Sequence, residues 1–138
     1  MKHILIAAVL ALAASAAQAV GPKPVWKTDG FANPESVVYS SLQKVLYVSN
    51  INGAPDAKDG NGFISQLGLD GKVIQRQWLK GLNAPKGLAY LRGYLYVVDI
   101  DELLEIDTGN RRITRRFKAP GAKFLNDVTV TPRGTVFV

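Results

Sequence analysis

One plan is written three times along this chain, and that repetition limits its folding choices more than any other feature. Pro34-Glu35-Ser36-Val37, a turn and Val45-Leu46-Tyr47-Val48-Ser49-Asn50 return as Pro85-Lys86-Gly87-Leu88 and Tyr94-Leu95-Tyr96-Val97-Val98-Asp99. They return again as Leu125-Asn126-Asp127-Val128 and Thr135-Val136-Phe137-Val138. Glu35 and Lys86 stand 51 positions apart and Lys86 and Asn126 stand 40 apart, the excess lying in one polar loop, 52–61. Short β-branched and aromatic runs separated by Gly, Asn and Asp are the pattern of strands joined by tight turns.

A period of roughly 40–45 residues with four short strands per repeat predicts the blade of a β-propeller, a unit that buries its faces only against neighbouring blades. The expected fold class is all-β. Strands are expected at 36–39, 45–50, 63–69 and 73–79, then at 87–91, 94–99, 103–107 and 112–118, and finally at 127–131 and 135–138. The outer halves of the first two units superpose at an offset of 39, placing Ile64 on Leu103, Leu67 on Ile106, Ile74 on Ile113 and Trp78 on Phe117. About two and a half four-stranded blades are present, fewer than the roughly 4–8 of a closed ring. The chain therefore reads as the N-terminal part of a longer propeller.

Residues 1–19 are read as a signal peptide and 20–138 as the propeller segment. Lys2 and His3 precede an apolar run from Ile4 to Ala14, and Ala17-Gln18-Ala19 supplies a small-x-small cleavage site. The run is too short for the ~20 residues that cross a bilayer, so cleavage near Ala19 and release to the periplasm or outside the cell are expected, without stable membrane insertion. Val20 to Asp29, with Pro22, Pro24 and Trp26, reads as an extended lead-in that tucks one aromatic ring under the first unit.

Removing the leader also removes His3, the one histidine, and the chain has no cysteine. Disulfides, Ser-His-Asp or Cys-His catalysis and His/Cys zinc sites are thereby excluded within these residues. The formal charge is +6, from 17 basic and 11 acidic residues, with Arg111, Arg112, Arg115 and Arg116 close together. No aromatic platform interleaves them, so they read as a solvated outer strand rather than a nucleic-acid surface.

In a blade, the start of the first strand and the end of the second share one mouth of the central channel. Glu35, Lys86 and Asn126 hold the first of these positions; Asn50 and Asp99 hold the second, and the loop 52–61 hangs at the same mouth. Converging carboxylate and amide oxygens suit a hard cation such as calcium, although polar residues at strand starts also serve as turn caps. Lys86 is open to three readings: repelling a metal, pairing with Glu35, or pointing to solvent. Asp56, Asp59 and Asn61 in the loop lack the ligand spacing of an EF-hand, and a flap over the mouth is the stronger reading.

Pro34-Glu35-Ser36-Val37, Leu46-Tyr47-Val48-Ser49 and Leu125-Asn126-Asp127 resemble the N-terminal half of the senescence marker protein/gluconolactonase (regucalcin-like) family of six-bladed propellers, over about Gly30 to Val138. The resemblance implies a divalent metal, calcium, with Glu35 and Asn126 as ligands. It implies a lactone or related ester as substrate, with Asp127 serving the substrate or the metal; Asn50, Lys86 and Asp99, which share the mouth by their repeat positions, are expected at the substrate site beside it, and the catalytic residues are unassigned. Lys86 departs from the family pattern. The alternative is a noncatalytic, NHL-like propeller that binds a ligand or protein at its mouth, since fold does not settle function.

Overall fold

Ten strands run through residues 21–138, the part that the computed structural model describes; the expected signal peptide lies outside the described residues. They are β1 (Pro34–Ser40), β2 (Val45–Asn50), β3 (Gly62–Leu67), β4 (Val73–Leu82), β5 (Pro85–Leu91), β6 (Tyr94–Asp99), β7 (Glu102–Asp107), β8 (Arg112–Lys118), β9 (Thr129–Val130) and β10 (Val136–Phe137). Among the described residues there is no helix, and so none long and apolar enough to cross a membrane. β1 to β4 make one antiparallel four-stranded sheet in sequence order, β5 to β8 make a second, and β9 with β10 begins a third unit. The arrangement is all-β and open.

The turns explain why each sheet is built from neighbours in sequence. Arg92 and Gly93, joining β5 to β6, both have positive φ (49° and 91°), the backbone that lets a two-residue hairpin follow the twist of its strands. Between β7 and β8 the Asp107 carboxylate accepts from the main-chain N–H of Gly109 at 2.9 Å and of Asn110 at 3.1 Å, closing an Asx-type turn. Strand limits expected from the sequence differ chiefly in the third unit, where 127–131 and 135–138 shrink to two residues each. A two-stranded ladder there has no third strand to hold its ends.

One irregularity occurs twice at matching places. Pro34 pairs with Asn50 and the next pair is Val37 with Val48; Pro85 pairs with Asp99 and the next is Leu88 with Val97. Glu35 and Ser36, like Lys86 and Gly87, therefore leave the ladder in a bulge, a device that re-aims side chains. The equivalence expected for Trp78 and Phe117 does not hold. Leu79 faces Ile64 and Phe117 faces Leu103, because the β3–β4 ladder shifts register at Ile64–Gln66 and again at Gln66–Leu67. A one-residue slip exchanges faces. Trp78 is consequently 3% exposed and tilted on Tyr47 with ring centroids 4.7 Å apart, whereas Phe117 is 45% exposed.

Two cores lie on opposite faces of the second sheet. Val45, Tyr47, Ile64, Trp78 and Leu82 of the first sheet pack against Leu88, Leu95, Val97, Leu104 and Ile106 of the second. On its other face Ala89, Tyr96 and Val98 meet Val128, with Leu125, Val130 and Val136 alongside. First strands sit beside first strands: β1 touches β5 and β5 touches β9. The Ser36 hydroxyl accepts from Leu88 N–H at 3.2 Å, and Gly87 N–H donates to the Asn126 carbonyl at 3.0 Å. Gly87 is required there, since a Cβ would stand 2.6 Å from Asp127 Cα.

The outermost faces keep apolar side chains in the open, Val37 (61% exposed), Tyr39 and Ile74 at one end and Phe137 at the other. The lead-in is fastened to the β3–β4 turn, where Trp26 stays 41% exposed instead of tucking under the first unit. Trp26 donates from its indole N–H to the Leu69 carbonyl at 2.9 Å and Thr28 donates to the Gly71 carbonyl at 2.6 Å.

Candidate functional site

The bulges set the site. They place Glu35 and Lys86 at the same end of β1 and β5, and the bond from Gly87 N–H to the Asn126 carbonyl brings the Asn126-Asp127 pair, just ahead of β9, beside them, with the ends of β2 and β6 and the loop 52–61 around. Glu35 is exposed, but partial desolvation pushes its carboxyl above the usual glutamate range; the neighbouring Asp127 carboxylate pushes the same way and Lys86 opposes both. Three of the expected site residues thus share one electrostatic neighbourhood. Asn126 is exposed beside them, held through its main-chain carbonyl by Gly87.

Lys86 does not point to solvent. It is 1% exposed. Its ammonium donates to the Pro55 carbonyl at 2.7 Å and to the Ala84 carbonyl at 3.1 Å, and it lies 4.3 Å from the centre of the Phe124 ring. Loss of hydration pulls its pKa below the usual lysine range, against the opposing pull of Asp99, Glu35 and Asp56. Two carbonyls and a ring face compensate for much of that lost hydration.

Asn50 and Asp99 are also turned inward, where the sequence reading had them meeting substrate. Asp99 is fully buried and its two oxygens accept from Asn83 N–H at 2.9 Å and Ala84 N–H at 2.8 Å, clamping the link between the two sheets. Asn50 accepts from Ala32 N–H at 3.1 Å and donates to the Val48 carbonyl and the Ser65 hydroxyl. The two positions match in the repeat and do the same work, each fixing the chain that enters its sheet. Their side chains are spent on the fold.

Glu35, Asp127 and Asn126 offer side-chain oxygens, and the repulsion that the Asp127 carboxylate exerts on Glu35 is a situation that a divalent cation relieves. The donor chemistry fits a hard cation. The count is short of the roughly six to eight oxygens calcium takes, and among the described residues no group of three or more His, Cys, Asp or Glu side chains comes together. Any such ion would draw most of its shell from water or from residues beyond these.

Sequence reasoning missed three participants. Phe124 lies in the link to the third unit and gave no periodic signal. The Pro55 carbonyl is main chain, which no side-chain pattern reports. The ion pair of Lys58 with Asp101, at 2.7 Å, joins the loop 52–61 to the turn between β6 and β7; opposite charges in two loops were its one trace. The arginines that looked like a solvated strand are exposed on β8 or its turn, Arg116 bonded to Glu102 at 2.7 Å and Arg111 lying over Trp78. No protein-family model matches the chain, and no curated protein matches it.

Proposed function

We propose that the two four-stranded sheets and the third unit are successive blades of an exported, gluconolactonase-like β-propeller whose mouth hydrolyses a lactone or related ester with a divalent metal. The observation that carries this reading is the convergence of Glu35, Asp127 and the exposed Asn126 at one end of three abutting first strands. Repeated bulges and first strands that neighbour one another are what blades around an axis require. Closing such a ring takes blades beyond those described.

Glu35 and Asn126 would hold the cation, with Asp127 beside them; when bound, calcium or a similar ion supplies polarisation of the ester carbonyl. The chain's own residues do the rest. Asp127 keeps a second carboxylate within electrostatic reach of Glu35, adding negative charge that would favour a cation at the same end of the first strands. Asp99 and Asn50 hold the strand ends that define the rim.

Calorimetric titration of calcium into the full-length chain and into Glu35→Gln, with hydrolysis of simple lactones followed in parallel, tests the assignment. Loss of binding in the variant is expected, and unchanged binding would remove Glu35 from the ligand set. A second reading, a noncatalytic propeller that binds at its mouth, draws support from Lys86, Asn50 and Asp99 having their polar atoms committed internally. Metal binding with no turnover of any lactone or ester would favour it.

A further inference from the structure

The β2–β3 and β6–β7 connections are matching hairpins in the repeat, yet one takes residues 51–61 and the other takes Ile100 and Asp101. Two residues suffice to turn this corner, so the longer loop serves something other than chain reversal. It crosses from its own sheet to the next and is fastened there at two points. At its tip the Pro55 carbonyl sits on the buried Lys86 ammonium at 2.7 Å; further along, Lys58 binds Asp101 at 2.7 Å. Its neck is closed by Asn52, whose amide donates to the Asn61 carbonyl at 2.9 Å, and positive φ at Asn52, Gly53 and Gly60 marks the bends.

We propose that residues 52–61 are a strap latched over Lys86, and that the Pro55 carbonyl stands in for the carbonyl oxygen of a neutral ligand, which replaces it when the strap lifts. The ligand part rests on the mouth being a binding site; the latch does not. Two features select the ligand's chemistry. The atom displaced is an amide carbonyl oxygen, so its replacement must be an acceptor of similar kind. Glu35, Asp56 and Asp99 already surround the ammonium with negative charge, which disfavours a carboxylate or phosphate. Phe124, half exposed beside the ammonium, offers a ring face to the carbon skeleton of such a ligand.

The two fastenings differ in kind. The Lys86 contact is a charge-assisted hydrogen bond from a buried donor, whereas the Lys58 pair is exposed and open to screening by salt. Lys86 is therefore the dominant latch.

Hydrogen exchange on the full-length chain, read by mass spectrometry over 52–61 with β6 as the internal reference, tests this. Lys86→Met keeps the stem and removes the donor; strap exchange should quicken by about tenfold or more while β6 is unchanged. Asp101→Asn should quicken it only about two- to fivefold. δ-Valerolactam, a slowly hydrolysed neutral cyclic amide, should quicken strap exchange saturably in the unmodified protein and have no effect on Lys86→Met. Strap exchange unchanged in Lys86→Met with β6 protected overturns the latch. A released strap in that variant with no lactam response in the unmodified protein overturns the ligand assignment, and because no turnover is read, neither result depends on hydrolysis.

Discussion

Gly87→Ala is the substitution that tests most directly how the site is assembled. Gly87 lies in the bulge of β5, where its N–H donates to the Asn126 carbonyl at 3.0 Å. A Cβ at this position would meet Asp127 Cα at 2.6 Å, Asp127 Oδ1 at 2.7 Å and the Asn126 carbonyl at 2.9 Å. Two of those three atoms are main chain, so a side-chain rotation does not relieve the clash; the link carrying Asn126 and Asp127 must move. Overpacking of this kind costs about 1–3 kcal/mol and the lost hydrogen bond about 1 kcal/mol more, giving a loss of roughly 2–4 kcal/mol. Urea unfolding of the full-length chain measures it, with Gly21→Ala as the control because nothing lies within 4 Å of that position. The same variant should lower the elevated Glu35 titration, since Asp127 is displaced from it. A Gly87→Ala protein within about 0.5 kcal/mol of the parent, with Glu35 unmoved, would show that the third unit is not seated on β5 through this contact.

Asp99→Asn preserves shape but leaves one oxygen to serve two N–H donors, Asn83 and Ala84, and turns an amide N–H toward the other. A loss of about 2–4 kcal/mol in urea unfolding is expected, and a neutral result would refute the clamp. Glu35 should titrate by carboxyl NMR above the ordinary 4.5, falling toward it in Asp127→Asn and rising further in Lys86→Met. Because Glu35 takes up protons on folding, its contribution to stability is fully present below about pH 4.5 and is lost as pH rises through the folded value. A Glu35 midpoint at or below 4.5 would contradict its partial desolvation beside Asp127.

How much of this was legible in the sequence divides along one line. Period, alternation and turn residues determined the ten strands, their order within each sheet and the rim that carries Glu35, Lys86 and Asn126, because hairpin pairing depends on near neighbours and a repeat carries its geometry with it. The sequence could also exclude disulfides, since there is no cysteine. Only the tertiary structure decided which way the polar side chains of that rim turn. Asn50 and Asp99 stand by register at the strand ends beside Glu35 and Lys86, yet the chain entering each sheet presents main-chain N–H groups that must be satisfied once buried, and these two side chains are the acceptors within reach. The fate of Lys86 depended on a main-chain carbonyl from a loop 31 positions earlier and on a ring in another unit. Trp78 and Phe117 parted because two ladder irregularities, invisible in a constant offset, put one against the second sheet and left the other bare. Local pattern fixes what the backbone pairs with; where a polar atom finds its partner is settled by whatever packing brings within about 3 Å of it.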